Sequence, residues 1–104
     1  MADKKTLSFQ DLINSDTPVL IDFYADWCGP CKAFAPVLDN LKHELGETAR
    51  VVKINVDNNP EIAGKLQVRS IPTVMIFQNG DLKWRAQGAQ SLPAMKAQLA
   101  PLLA

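Results

Sequence analysis

The residues best equipped for chemistry in this sequence are its two cysteines, Cys28 and Cys31, inside the segment Trp27-Cys28-Gly29-Pro30-Cys31. Two thiols three positions apart at the start of a helix can close a disulfide with each other and reopen it. On one helix face that spacing leaves Cβ atoms about 5–6 Å apart, and a modest local adjustment brings them to disulfide geometry. So short a ring constrains the unfolded chain little, because stabilisation by a disulfide grows with the loop it closes. The bridge therefore reads as a reagent rather than a staple. A structural zinc site would need four Cys or His ligands. Only His43 remains, so a closed site would require a second chain, and no metal is expected.

Helical spacing separates the two sulfurs. Cys31, Phe34, Leu38, Leu41 and Leu45 fall at i, i+3, i+7, i+10 and i+14, a stripe that must face the core. Cys31 belongs to that stripe and should be shielded. Cys28 precedes it, at a helix N-terminus whose first N–H groups lack intrahelical partners and favour a thiolate. Cys28 is thus the expected nucleophile, the more exposed of the two, and Cys31 the resolving thiol. Pro30 suits a first turn, where its missing N–H removes no helix bond. Gly29 adds no side chain to obstruct a disulfide substrate. Pro36, farther along, should kink the helix.

Two charges interrupt apolar strands: Asp22 in Val19-Leu20-Ile21-Asp22-Phe23-Tyr24, and Lys53 in Val51-Val52-Lys53-Ile54-Asn55-Val56. Lys53 can reach water along its stem. Asp22 has only large apolar neighbours. Burial raises a carboxyl's pKa and a nearby ammonium lowers it again, leaving a group that can exchange a proton near neutrality. Such a group is needed, because Cys31 must lose its proton before it attacks a mixed disulfide. Asp22, partnered by Lys53, is the expected proton acceptor, directly or through a water.

These residues need a scaffold, and 104 residues suffice for one domain, taken as 1–104. Apolar residues make up 47% and charged residues 21%, with 11 basic against 11 acidic, so no net field recruits nucleic acid or an anionic membrane. No apolar run approaches the roughly 20 residues of a membrane span. Met1 to Gln10 does not resemble a secretory signal, so a reducing cytoplasmic setting is expected. Ser8 and Asp11 imitate a helix cap before Phe9, Leu12 and Ile13. Val19–Tyr24 and Val51–Val56 read as strands buried on both faces. A helix is expected from about Cys28 to Leu45, ending at Gly46. Asn59-Pro60 should cap and start another, reaching about Leu66. Thr73–Gln78 is a strand, and Asn79-Gly80 turns it back antiparallel through Leu82–Gln87. Leu92 to about Leu102 forms the last helix. The pattern predicts an α/β fold: a three-layer α/β/α sandwich with a mixed central sheet of about five strands, a C-terminal hairpin and four helices.

Asp22-Phe23-Tyr24-Ala25-Asp26-Trp27-Cys28-Gly29-Pro30-Cys31-Lys32 resembles the active-site segment of the thioredoxin family, in its short bacterial form. Ile71-Pro72-Thr73 resembles the family's second signature. Val56-Asp57, Asn59-Pro60, Asn79-Gly80 and Gly88 recur in its order and spacing. The likeness implies that Cys28 is the nucleophile, Cys31 the resolver, Asp22 the buried proton acceptor and Lys53 its partner. It implies that Pro72 is cis and that backbone around Ile71, Pro72 and Thr73 meets the substrate. Trp27, Ile71, Gly88 and Ala89 would form an apolar rim, with Gly29 and Pro30 on the docking surface. Departures are Tyr24, where many bacterial relatives have Trp, Ser70, where glycine is frequent, and Trp84, which should pack against the sheet or a neighbouring helix.

The implied activity is general thiol–disulfide exchange, reducing protein disulfides in a monomer. No glycine-rich dinucleotide loop is present, so no bound cofactor is expected. Electrons would come from NADPH through thioredoxin reductase. Clients implied by the resemblance include ribonucleotide reductase, peroxiredoxins and methionine sulfoxide reductases. One rival keeps the chemistry and reverses its direction, making a disulfide donor or isomerase. Gly29-Pro30, in place of a histidine between the cysteines, argues against it. Another rival is a protein-binding module whose thiols are incidental.

Overall fold

β-Branched and aromatic residues recur in the first three strands, the fourth is mostly polar, and each helix opens on a residue able to cap it. The computed structural model describes residues 8–103. In chain order the elements are α1 (Phe9–Ile13), β1 (Val19–Tyr24), α2 (Gly29–Leu45), β2 (Arg50–Asn55), α3 (Pro60–Lys65), β3 (Thr73–Gln78), β4 (Asp81–Gln87) and α4 (Leu92–Leu99). A 3₁₀ turn, Ala100–Leu102, follows α4. Ser8 caps α1, its hydroxyl accepting from the Asp11 N–H at 3.1 Å. Ser91 caps α4 in the same way through the Ala94 N–H.

The sheet order is β2-β1-β3-β4. β1 runs parallel to β2 and antiparallel to β3, and β3 runs antiparallel to β4. The sheet is mixed, as predicted, with four strands among the described residues rather than about five. That count has a consequence for β2. Expected to be buried on both faces, it is an edge strand of the described sheet, mostly half-buried, and Lys53 is exposed. Among the described residues, only β1 and β3 have strand neighbours on both sides, and their side chains are nearly all buried.

Side-chain alternation along β1 and β3 sends successive residues to opposite layers. Leu20, Val74 and Ile76 pack with Phe34, Leu38 and Leu41 of α2 and with Met95 and Leu99 of α4. Ile21, Phe23, Met75 and Phe77 pack on the other face with Leu12 and Ile13 of α1. Trp84 is half-buried against the first of these cores, which confirms its packing role. Lys96 of α4 reaches Glu44 of α2 at 2.7 Å, an exposed pair.

Helix ends and turns add detail. α2 runs unbroken from Gly29 to Leu45 with Pro36 inside it, on its exposed side. Asn59 occupies the cap position of α3 without capping; its side-chain amide instead donates to the Asn55 carbonyl at 3.0 Å. Helix α4 stops at Leu99, because Pro101 supplies no N–H and the chain tightens into the 3₁₀ turn. Asn79 and Gly80 both have positive φ, 54° and 82°, the turn conformation that matches strand twist.

Candidate active site

Cys28 is the N-cap residue of α2. Its Sγ accepts the Cys31 backbone N–H at 3.2 Å, the place a serine or aspartate oxygen usually takes. Gly29 and Pro30 form the first turn, and Cys31 opens the buried stripe of Phe34, Leu38, Leu41 and Leu45. The two cysteines are joined as a disulfide with Cα atoms 5.3 Å apart. The expected difference in exposure is not observed in this state: both cysteines are 4% exposed. Cys28 is covered because Ala25, Cys31 and Ile71 pack around it. What distinguishes the sulfurs is the cap, since Cys28 alone receives a helix N–H and sits at the positive end of the helix dipole.

The second half of the site comes from the loop before β3. Ile71–Pro72 is a cis peptide bond, and the Ile71 carbonyl lies 3.8 Å from Cys28 Sγ. Pro72 is buried, and its carbonyl accepts the Gly88 N–H at 2.7 Å. Gly88 has φ 87°, a conformation that side chains rarely adopt, so glycine suits this approach. Thr73 is fully buried, its hydroxyl donating to the Ser70 carbonyl at 2.6 Å. Ala89 is exposed beside Gly88. Gly29 and Pro30 are exposed too, and a Cβ added at Gly29 would meet nothing within 4 Å. Packing therefore does not require glycine there.

Trp27 is 70% exposed, and its indole N–H donates to Asp57 Oδ2 at 2.8 Å. Asp57 is a residue to which sequence reasoning gave no role. Thirty positions separate it from Trp27, and no periodicity links them.

Asp22 is completely buried, and neither carboxylate oxygen has a hydrogen-bond partner. It lies between Leu20 and Tyr24 on the face that α2 covers, since Leu20 packs against α2 and Tyr24 against the cysteine cluster. Burial pushes its carboxyl up from the ordinary 3.8 to about 6, and the Lys53 charge pulls in the opposite direction. Lys53 is the direct partner of Asp22 in the β1–β2 register. Its ammonium nevertheless sits 4.6 Å from the centre of the Tyr24 ring, so it acts on Asp22 through its field while staying in water. A cleft of about 470 Å³ opens beside these groups, lined by Tyr24, Ala25, Asp26, Cys31, Lys32, Ala35 and Lys53. Water can thus reach the Cys31 side of the bridge. Among the described residues, no group of three or more His, Cys, Asp or Glu side chains could hold a metal ion.

A buried carboxyl and a capping cysteine from one segment meet a cis-proline loop from a distant part of the chain. The Thioredoxin family model matches residues 1–101. The chain belongs to the thioredoxin family. It is 46% identical over 93 residues to Thioredoxin 1 of Chlorobaculum tepidum, covering 88% of this chain and 92% of that one. It is also 46% identical over 81 residues to a thioredoxin of Rickettsia felis, covering 78% and 77% of the two chains. A thioredoxin of Porphyra purpurea is 53% identical over 72 residues, covering 69% and 67%. With the Cys28–Cys31 bridge, family membership makes this thioredoxin-family chain a thiol–disulfide oxidoreductase that works by dithiol–disulfide exchange. No described helix is long and apolar enough to cross a membrane.

Proposed function

We propose that the chain is one thioredoxin domain, residues 1–104, acting in the cytoplasm as a monomeric reductant of protein disulfides with the following division of labour. Cys28 thiolate attacks one sulfur of a client disulfide. The client S–S bond breaks, its leaving thiolate takes up a proton, and a mixed disulfide with Cys28 forms. Cys31, deprotonated by Asp22, then attacks Cys28 Sγ. The mixed disulfide breaks, the second client thiolate leaves, and two electrons have passed from the dithiol to the client.

The observation that carries the assignment is the cap: the Cys31 N–H donates to Cys28 Sγ, and that donor stabilises negative charge on this sulfur. The role of Asp22 is supported by its burial, by a carboxyl raised to about 6, and by the open cleft that reaches Cys31 and Lys53. Lys53 keeps that carboxyl from rising further. Trp27, Gly29, Pro30, Ile71, Pro72, Thr73, Gly88 and Ala89 form the docking surface. The Ile71–Thr73 backbone pairs with an extended client segment across Cys28. Thioredoxin reductase, drawing on NADPH, returns the dithiol, and no cofactor is bound by the chain itself. Ribonucleotide reductase, peroxiredoxins and methionine sulfoxide reductases are the proposed clients.

Trapping tests the order of attack. A Cys31→Ser variant, reduced and mixed with a disulfide-containing protein, should accumulate a mixed disulfide at Cys28, while Cys28→Ser should accumulate none. An adduct on Cys31 in the second variant, at a comparable rate, would reverse the assignment. Titration of the bridge against a dithiothreitol buffer should give a strongly reducing potential. An oxidising value would instead make the protein a disulfide donor.

A further inference from the structure

Arg85 lies on β4 directly opposite Met75, on the sheet face covered by α1 and α3. Its guanidinium reaches the end of α3, with Nη1 donating to the Leu66 carbonyl and Nη2 to the Gln67 carbonyl at 2.8 Å. The helix closes there in a Schellman turn: the Val68 N–H bonds the Ala63 carbonyl, and the Gln67 N–H bonds the Gly64 carbonyl. The turn places Gln67 at φ 55°, a left-handed position that usually belongs to glycine. Four residues after Gln67 the chain arrives at Ile71, whose carbonyl faces Cys28 Sγ.

We propose that Arg85 is a positioning residue for client docking, pinning the left-handed turn at Gln67 and with it the course of the Ile71–Pro72 segment across Cys28. This rests on the reading above that the segment pairs with the client. Three anchors hold the stretch: Arg85 at Leu66 and Gln67, the Thr73 hydroxyl at Ser70, and the Gly88 N–H at Pro72. One of the three lies on β4 and a second on Gly88, the residue that follows it, so this strand and its end carry the docking loop. The carbonyls that Arg85 takes lie past the end of the helical ladder, where the negative end of the helix dipole favours a cation. A planar fork can hold both carbonyls together, which an ammonium does less well. Arg85 acts from the face opposite Asp22 and the α2 stripe, so its loss should alter docking and leave thiol chemistry alone.

The test is steady-state reduction of insulin with dithiothreitol as the electron source, beside the reaction with the small disulfide 5,5′-dithiobis(2-nitrobenzoate). Arg85→Gln should raise KM for insulin by about five- to tenfold, equivalent to roughly 1 kcal/mol. Its kcat, its reaction with the small disulfide and the reduction potential should stay within about twofold of the parent or its equivalent. Arg85→Lys should fall between the two, and it serves as the second variant if Arg85→Gln folds poorly. Gln67→Gly, combined with Arg85→Gln, should restore KM, because glycine holds the left-handed turn unaided. An unchanged KM, a rise that Gln67→Gly fails to reverse, or an equal loss toward the small disulfide would each overturn the proposal. Ile71→Asp separates it from the docking reading. If Ile71→Asp raises KM and Arg85→Gln does not, only the positioning role fails; if neither does, both fail.

Discussion

Both oxygens of Asp22 are buried without a partner, and its carboxyl titrates near 6 in the folded protein against an ordinary 3.8. Desolvation is the larger cause, and the Lys53 field opposes it. Between pH 3.8 and 6 the native state keeps a proton that the unfolded chain has lost, so stability falls as pH rises through this window and levels off above it. A shift of about two units corresponds to about 3 kcal/mol of destabilisation at neutral pH. Asp22→Asn removes the ionisation and should stabilise the oxidised protein at pH 8 by up to that amount, with little change at pH 3.5. Urea denaturation at the two pH values measures it. The same variant should slow release of a client from the Cys28 mixed disulfide and flatten the pH dependence of that step. Equal stability gains at both pH values would mean that Asp22 titrates normally. The sequence made Asp22 conspicuous, as a charge among large apolar neighbours. It did not show where Lys53 would go, because the Tyr24 ring that holds its ammonium is met only across the β1–β2 pair.

Among the helices, α2 was the most legible, because a stripe repeating at 3.6 residues can be buried by only one face. Phe34 in that stripe is 2% exposed, packed with Leu20, Val74 and Met95. Phe34→Ala should cost about 3–5 kcal/mol, from lost transfer energy and the cavity left behind. Ser91→Ala at the cap of α4 should cost about 1 kcal/mol, since it removes one exposed acceptor from one N–H. Urea midpoints of the two variants should therefore differ clearly, and comparable losses would count against a core centred on α2. Strands were harder to read. Val51–Val56 is nearly as apolar as Val19–Tyr24, yet the first is an edge of the described sheet and the second lies inside it. Hydrophobic runs report the capacity for burial; the neighbours that supply it are chosen by pairing. Asn59 shows the same limit at a helix end, where a sound capping residue turns its amide back to Asn55.

At the scale of the molecule, protection should follow sheet order. Amides of β1 and β3, hydrogen-bonded on both sides and buried between two helical layers, should exchange only by near-global unfolding. The short α1 and the edge-facing amides of β4 should exchange through smaller openings. Hydrogen exchange followed residue by residue on the oxidised protein checks this. A β4 protected as strongly as β1 would mean that its outer edge is covered in solution. The exposed Glu44–Lys96 pair links α2 to α4 but contributes at most about 1 kcal/mol, so the layers are held by their apolar faces.

The sequence by itself determined the dithiol, the helix that begins at it, the hairpin at Asn79-Gly80 and the alternation of strands and helices. Each is encoded within a few consecutive residues, by spacing, a cap or a turn dipeptide. The cis state of Ile71–Pro72 was implied only by family resemblance. Tertiary structure decided the covering of Cys28 by Ile71, the bond from Trp27 to Asp57, the placing of Lys53 over Tyr24 and the grip of Arg85 on the end of α3. Every one of these joins residues far apart in the chain. No local pattern encodes them, because their energy exists only once the sheet has set the distances between its strands and the helices packed upon them.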